Sequence, residues 1–311
     1  MNQQKTILIT GASGFLGTWL ADEAAKAGYK LLGIDLRVPL RPHLWSGFAT
    51  SSLETADLDN LLSGHEIAAV CHLAGGASVA SSVSDPFGDF SSLLPGTSRL
   101  ALHLIKAHPQ ARIFFFSSAA VYGNPETLPI TECTPLQPIS PYGIHKATAE
   151  TLLTYYAKAF GLKTTVFRIF SVYGPGLRKQ LIYDVCQRAT QAAALGQKEI
   201  RLFGTGNESR DFLYIEDLCQ AVLAVLQHDS KERCNVYNLA SGTENTVAQV
   251  AECIIKHLDI DVKITFDGNV PKGDPANWRA DVNKLSLLNF KTKYSLHDGL
   301  KQVVTWAKVN A

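Results

Sequence analysis

The sequence has almost no net charge and no long hydrophobic run. Its 29 Lys and Arg nearly balance its 28 Asp and Glu, giving a formal net charge of +1. This balance removes the bulk electrostatic argument for nucleic acid or an anionic membrane as a partner. No apolar stretch approaches the ~20 residues of a transmembrane helix, and the first apolar segment predicts a strand rather than a signal peptide. We expect a cytoplasmic protein with no membrane or nucleic-acid partner.

Cysteine is also sparse and shows no pairing pattern. The six cysteines stand at positions 71, 133, 186, 219, 234 and 253, with no C-x-x-C pair and no metal-ligand spacing. We expect reduced, mostly buried thiols and no metal site. Hydrophobic residues, by contrast, make up 46% of the 311 positions. That is enough for one large domain or two closely associated ones.

A glycine-rich segment near the start predicts a phosphate-binding turn. An apolar strand is predicted at residues 5–10 and a helix at residues 18–27, with Gly11-x-x-Gly14-x-x-Gly17 between them. At such a junction backbone N–H groups and the positive end of the helix dipole face one point, and glycine lets a pyrophosphate approach closely. The spacing differs from G-x-G-x-x-G, so the loop alone equally fits an ordinary βα turn.

Strands and helices alternate through the first half of the chain. A second strand over residues 30–34 ends in Asp35, near the distance at which an acid meets the ribose of a dinucleotide. Further strands are predicted at 68–74, 112–117 and 164–170, and helices at 58–62, 96–107 and 142–160. We expect His72, on an apolar strand, to be a core residue.

This alternation predicts an α/β fold. We expect a Rossmann-type doubly wound parallel sheet over residues 1–170 that binds NAD, with a return segment near 208–240. Beyond residue 171 the alternation weakens, which predicts a smaller mixed α/β substrate lobe over residues 171–311.

Tyr142 and Lys146 are the candidate catalytic pair. Four residues apart on a predicted helix, they share one face. A buried ammonium beside a phenol is expected to lower the pKa of Tyr142 and make it a usable base near neutral pH. Ser118, at the carboxyl end of the preceding strand, is placed to hydrogen-bond the same substrate oxygen. A Tyr-x-x-x-Lys pair also arises by chance. The catalytic interpretation therefore depends on the position of the pair after the glycine loop and Ser118 in the chain.

Together the motifs resemble the extended short-chain dehydrogenase/reductase family, and within it the NAD-dependent nucleotide-sugar epimerases and dehydratases. The resemblance rests on Gly11-x-x-Gly14-x-x-Gly17, Asp35, Asp57-Leu58, His72-Leu73-Ala74, Ser117-Ser118-x-x-Val121-Tyr122-Gly123, Ser140-Pro141-Tyr142-Gly143-x-x-Lys146, Tyr173-Gly174-Pro175-Gly176 and Arg210-Asp211-Phe212. It implies NAD as cofactor, a nucleotide-diphosphate sugar as substrate, and a homodimer joined through the helices at 96–107 and 142–160.

The resemblance also implies individual roles. Asp35 would hold the adenosine ribose, while Tyr142 and Lys146 would serve catalysis and the nicotinamide ribose. Asp57 and Leu58 would contact the adenine, and the other implied cofactor contacts are Gly11, Ser13, Gly14, Phe15, Leu16, Gly17, Leu73, Ala74 and Gly75. Ser118 would polarise the reacting oxygen. The implied substrate contacts are Ser118, Ser171, Arg210 and Arg279, with the arginines on the diphosphate. A surface arginine at a helix entry is the other interpretation of Arg210.

Two alanines separate this chain from the dehydratases of the family. Those enzymes carry an Asp-Glu pair directly after the serine or threonine, where this chain has Ala119 and Ala120. Without an acid for the leaving hydroxyl and a carboxylate for the C5 proton, elimination has no evident machinery. Decarboxylases of the family usually keep the Glu as well. Leu93 and Phe170-Ser171 also depart from the family pattern, so the sequence does not determine the sugar.

The leading expectation is therefore an NAD-dependent 4-epimerase that works through a transient 4-keto sugar. Asp35 favours NAD because a carboxylate repels the 2′-phosphate of NADP, although Arg37 and Arg41 could bind that phosphate. An NAD(P)H-dependent 4-keto-sugar reductase would use the same Ser, Tyr and Lys and stays an alternative. So does a non-catalytic NAD-binding regulator.

Overall fold

The computed structural model describes residues 4–76, 78–228, 230, 232–269 and 277–310. The strands are β1 (Thr6–Thr10), β2 (Lys30–Asp35), β3 (Trp45–Thr50), β4 (Ile67–His72), β5 (Arg112–Ser118), β6 (Lys163–Ile169), β7 (Ser171–Tyr173), β8 (Glu199–Leu202), β9 (Ser209–Tyr214), β10 (Cys234–Leu239), β11 (Glu244–Thr246) and β12 (Lys263–Phe266). The helices are α1 (Phe15–Lys26), α2 (Leu58–Leu62), α3 (Val79–Ser84), α4 (Pro86–Ala107), α5 (Pro141–Phe160), α6 (Gln180–Ala194), α7 (Ile215–Gln227), α8 (Val247–Leu258), α9 (Asn283–Ser286) and α10 (Leu296–Asn310).

A seven-stranded sheet in the order β10-β6-β5-β4-β1-β2-β3 carries the candidate site. From β3 to β6 each neighbouring pair is parallel, and the strand order reverses between β1 and β4. The central strands are buried on both faces, which explains their nearly continuous apolar sequences. The predicted doubly wound sheet is confirmed. Ligands in such sheets bind beyond the carboxyl ends of the strands at the reversal.

The chain divides into two compact units. The first comprises Met1–Gly123, Glu132–Ile169 and Cys219–Asn238, and the second comprises Asn124–Thr131, Phe170–Leu218 and Leu239–Ala311. The first unit holds most of the large sheet. The second holds the three-stranded sheet β11-β9-β7 and the two-stranded sheet β12-β8. The assignment of cofactor to one lobe and substrate to the other stays a prediction.

Two differences from the sequence-based expectation concern the first unit, at β3 and at the start of α4. Trp45–Thr50 is the edge strand β3, and we predicted no strand there because its half-buried side chains form no apolar run. Helix α4 begins at Pro86 rather than at residue 96. The Asp85 carboxylate accepts the Gly88 N–H at 2.9 Å and caps the helix. Pro95 lies inside the helix, and because proline usually interrupts a helix, the sequence predicted that the helix begins after it.

None of the described helices is both long and apolar enough to cross a membrane. All six cysteines are free thiols. Cys71, Cys186 and Cys219 are buried, two others are half-buried, and Cys133 is exposed.

Candidate active site

The glycine loop has the geometry that a pyrophosphate needs. Gly11 has φ +70°, and a Cβ there would lie 2.9 Å from the backbone nitrogen of Ala74. At Gly17 a Cβ would overlap the Gly11 carbonyl oxygen and lie 2.8 Å from the Ala12 backbone. These two glycines are therefore required for the turn and for the close packing of α1. Because α1 begins at Phe15, the N–H groups of its first turn lack helical partners and face the loop's end of the sheet.

Asp35 lies at the end of β2 and is tied to this loop. Its carboxylate accepts the N–H of Ser13 and the N–H of Arg37, each at 3.0 Å. The Arg37 guanidinium donates to the Ser13 carbonyl oxygen at 3.1 Å and lies 3.7 Å from the same carboxylate. Arg41 forms an ion pair with Asp22. Both arginines near Asp35 are thus engaged by acidic or carbonyl oxygens.

The two residues proposed to contact the adenine differ in exposure. Asp57 is exposed, and its carboxylate accepts the Asn60 N–H at 3.0 Å as the cap of α2. The helix expected over residues 58–62 is α2, and Asp57 is its N-terminal cap. The Leu58 side chain is only 2% exposed and lies in the core. Leu58 can therefore reach an adenine only through its backbone.

His72 is a core residue, as expected. Its Nδ1 lies 2.8 Å from the Thr10 hydroxyl and its Nε2 lies 2.7 Å from the Thr97 hydroxyl. Thr97 donates its proton to the Leu93 carbonyl oxygen, so Nε2 must donate to Thr97 and Nδ1 must accept from Thr10. The Thr10 oxygen in turn accepts the N–H of Ala74 at 3.2 Å. Burial lowers the pKa of His72 to about 3, which keeps this chain of hydrogen bonds neutral.

The candidate catalytic residues meet at the carboxyl end of β5. Ser140 caps α5 by accepting the Gly143 N–H at 3.2 Å, which places Tyr142 in the first turn. The Ser118 side chain lies close enough to the Tyr142 hydroxyl to lower its pKa. The Lys146 ammonium lies 5.8 Å from the centre of the Tyr142 ring and donates to the Phe116 carbonyl oxygen at 2.9 Å. The structure thus brings together the three residues that we predicted for catalysis.

The expected lowering of the Tyr142 pKa is wrong for this geometry. Burial raises the pKa of Tyr142 to about 12, and the negative charge of Asp89 adds to the rise. The hydrogen bond with Ser118 opposes it only in part. Burial also lowers the pKa of Lys146 to about 8, against the raising effect of Asp89 and Glu150. The error came from weighing the lysine charge without the cost of burying the phenolate.

Sequence reasoning missed an acidic residue beside this pair. Asp89, in the first turn of α4, lies 2.6 Å from Nδ1 of His145, and both side chains are largely buried. Its other oxygen lies against Gly76, where a Cβ would overlap it. The available signal was a histidine directly before Lys146. Its partner went unrecognised because we predicted the start of α4 ten residues too late.

A buried ion pair lies one helical turn beyond Lys146. The Arg168 guanidinium donates to the Glu150 carboxylate at 2.8 and 3.1 Å, and the Ser117 hydroxyl donates to the same carboxylate. Arg168 also donates to the Tyr122 hydroxyl at 3.0 Å. These contacts connect α5 to β5 and β6 directly behind the catalytic residues. They fix the helix that carries Tyr142 and Lys146.

Apart from Ser118, which is in the first unit, the predicted substrate residues lie in the second unit. Ser171 begins β7, is half-buried and pairs in register with Phe212 of β9. Arg210 lies on β9, and its guanidinium donates to the Ser209 carbonyl oxygen at 2.8 Å. The Arg279 carbonyl oxygen accepts the Ile130 N–H, and its side chain is half-buried.

A tryptophan next to Arg279 was not predicted. The backbone N–H of Trp278 donates to the Ser209 carbonyl oxygen at 3.1 Å, and the Arg210 guanidinium lies 5.5 Å from the centre of the Trp278 ring. This pairing brings the segment that carries Arg279 alongside Arg210.

Comparison with known proteins agrees with this geometry. YtcB of Bacillus subtilis strain 168, described as an uncharacterized UDP-glucose epimerase, is 31% identical over 96% of this chain and 97% of its own length. The UDP-glucose 4-epimerase of Thermotoga maritima, solved with UDP-glucose, superposes with a TM-score of 0.87 at 29% identity and covers 98% and 99% of the two chains. The UDP-glucuronic acid 4-epimerase of Bacillus cereus, solved with UDP-glucuronic acid and NAD, gives 0.88 at 26% identity and covers 98% and 100%.

The model of a single family matches most of the chain. It is described as the NAD dependent epimerase/dehydratase family and matches residues 7–240. This match confirms the resemblance inferred from the motifs, and it covers the glycine loop, Asp35 and the Ser118, Tyr142 and Lys146 group. The chain is therefore an enzyme that belongs to the NAD dependent epimerase/dehydratase family.

Proposed function

We propose that this chain is an NAD-dependent UDP-sugar 4-epimerase. One observation carries the proposal: Ser118, Tyr142 and Lys146 meet at the end of β5, while the two positions after Ser118 are buried alanines. This arrangement can move a hydroxyl proton but offers neither acid nor base for an elimination. The UDP-glucose and UDP-glucuronic acid 4-epimerases of similar fold support UDP as the nucleotide.

The residues present fit NAD. The loop has a left-handed glycine at Gly11 and tight packing at Gly17, and it leads into the N-terminus of α1. Asp35 supplies a carboxylate at the end of the adjacent strand, where it suits ribose hydroxyls and disfavours a 2′-phosphate. When bound, NAD would supply a group that accepts a hydride and later returns it. The cofactor site would be completed by Ser13, Asp57 and residues 73–75.

The protein residues would then transfer the proton of the C4 hydroxyl and hold the substrate oxygen in position. Tyr142, as phenolate, would take the proton from the C4 hydroxyl and later return it. Ser118, which lies beside the Tyr142 hydroxyl, would hold the same substrate oxygen. Lys146 would favour the phenolate through its charge and hold the nicotinamide ribose. With Ala119 and Ala120 in place of carboxyl groups, the C5 proton stays where it is.

The second unit would bind the nucleotide diphosphate. Arg210 and Arg279 provide guanidinium groups whose planar geometry suits bidentate bonds to phosphate. Ser171, at the start of β7, would contact the substrate. Arg210 belongs to the Arg210-Asp211-Phe212 motif of the family, whereas Ser171 departs from the family pattern.

We also propose a cytoplasmic homodimer joined through α4 and α5. Both helices expose large apolar side chains to solvent: Phe87, Phe90, Leu102, Ile144, Tyr155 and Phe160. A second copy would cover such a face with an equivalent one. Light scattering should give about twice the chain mass of 33.8 kDa. A mass equal to one chain would contradict the dimer.

The epimerase proposal is tested with purified protein and no added cofactor. UDP-glucose, UDP-glucuronic acid and UDP-N-acetylglucosamine are incubated separately, and their C4 epimers are separated by chromatography. We expect interconversion of at least one pair with no net change in absorbance at the NADH band. Stoichiometric consumption of NAD(P)H, and only with a 4-keto sugar, would instead identify a reductase.

A further inference from the structure

Arg210 is held on two sides by neighbouring groups of its own unit. The Ser209 carbonyl oxygen accepts both the Arg210 guanidinium at 2.8 Å and the backbone N–H of Trp278 at 3.1 Å. This shared acceptor sets the arginine and the tryptophan side by side. The centre of the guanidinium then lies 5.5 Å from the centre of the Trp278 ring, within the range of a cation–π contact.

The Trp278 ring is itself fixed. It is 9% exposed, and the Phe170 ring packs edge-on against it, with centres 5.9 Å apart and planes at 68°. The segment that carries Trp278 is anchored by the buried Asp211 carboxylate, which accepts the Ala280 N–H at 3.2 Å. Because the same carboxylate also accepts the backbone N–H groups of Ser241 and Gly242, this anchor is rigid. The ring therefore cannot follow the guanidinium if the arginine moves.

We propose that Trp278 is a positioning residue that holds the Arg210 guanidinium in place for the diphosphate of the substrate. The inference rests on the proposed function, because it takes Arg210 as a diphosphate ligand. A cation–π contact restrains the guanidinium through its charge rather than through its N–H groups, and those N–H groups are what bonds an anion. An arginine restrained in this way loses less conformational freedom on binding, so the pair binds the nucleotide more tightly than a free arginine would.

The test is a double-mutant cycle on UDP binding, measured by titration calorimetry. Trp278→Leu should weaken UDP binding about three- to tenfold, the size expected for a cation–π contact. Trp278→Phe keeps an aromatic face and should recover most of that loss. In an Arg210→Ala background, Trp278→Leu should cause no further loss. If the two losses multiply instead, Trp278 does not act through Arg210 and the proposal fails.

A second arginine–tryptophan contact in the same unit provides the matched control. The Arg178 guanidinium lies 5.2 Å from the centre of the Trp306 ring, on α10. Trp306→Leu removes a cation–π contact of similar length, and we expect UDP affinity to be unchanged. A loss as large as that of Trp278→Leu would show a general packing effect and overturn the proposal. Circular dichroism checks that each variant folds, and if Trp278→Leu does not, the cycle is run with Trp278→Phe, with about a twofold loss expected.

Steady-state kinetics give a further readout. A residue that only helps to hold the diphosphate contributes equally to ground state and transition state, so KM should rise while kcat stays constant. A fall in kcat at unchanged KM would contradict the positioning role. Failure of wild-type protein to bind UDP, or unchanged binding in Arg210→Ala, would instead refute the proposed function.

Discussion

The Lys146 ammonium lies 5.8 Å from the centre of the Tyr142 ring and donates its hydrogen bond to the Phe116 carbonyl oxygen, at 2.9 Å. The lysine therefore lies beside the tyrosine ring and gives its hydrogen bond to the backbone of β5. The pKa of Tyr142 is raised by burial, lowered by Ser118 and raised further by the negative charge of Asp89.

Removal of the Asp89 charge should shift the pH dependence of turnover. The Asp89 carboxylate raises the pKa of Tyr142 and also that of Lys146. Asp89→Asn keeps the size of the side chain but removes the charge, so both pKa values should fall. Both limbs of the pH profile of kcat should then move to lower pH. Asp59→Asn, an exposed residue, is the control and should leave the profile in place. An unchanged profile in Asp89→Asn would contradict this role.

Tyr142→Phe should abolish turnover and leave cofactor binding intact. Only the hydroxyl is lost while the ring remains, and a positioned acid–base group typically contributes about 10²–10⁴-fold to the rate. We expect kcat to fall by at least about 10² while the NAD released on denaturation, measured by mass spectrometry, matches wild type. Turnover within a few-fold of wild type would rule out Tyr142 as the base. Loss of both NAD and turnover would indicate a structural role instead.

Gly17→Ala should disrupt the cofactor loop. The added Cβ would overlap the Gly11 carbonyl oxygen and press on the Ala12 backbone, neither of which can move aside. We expect a loss of stability of about 1–3 kcal/mol and protein purified without NAD. Gly28→Ala, at the other end of α1, is the control because its Cβ would meet open space. Gly28→Ala should lose about 1–2 kcal/mol for its left-handed backbone and keep its NAD.

Glu150→Ala should strongly destabilise the fold. The variant leaves the buried Arg168 guanidinium without its anion, and breaking a buried pair costs about 3–5 kcal/mol. Urea unfolding should show this loss. The exposed Lys198–Asp261 pair provides the comparison, and Asp261→Ala should leave the urea midpoint nearly unchanged because solvent screens this pair. Equal losses in both variants would contradict the account of the buried network.

Sequence reasoning located residues whose roles depend on neighbours close in the chain. The glycine loop and Asp35 follow single strands, and Tyr142 and Lys146 share one helical face, so short-range patterns were enough. The Asp89–His145 contact instead depends on the packing of α4 against α5. The Trp278–Arg210 contact depends on a pairing between β9 and a segment far along the chain. No periodicity marks either, since each depends on tertiary structure alone.

The fate of the C4 hydrogen tests the central claim most directly. UDP-glucose carrying deuterium at C4 is incubated in ordinary water with the protein and no added cofactor, and the product is analysed by mass spectrometry and NMR. If Tyr142 moves only the hydroxyl proton and the hydride leaves and returns within one site, the C4 epimer should keep its deuterium at C4, and its C5 hydrogen should not exchange. Loss of the label to solvent, or exchange at C5, would contradict 4-epimerisation through a retained cofactor.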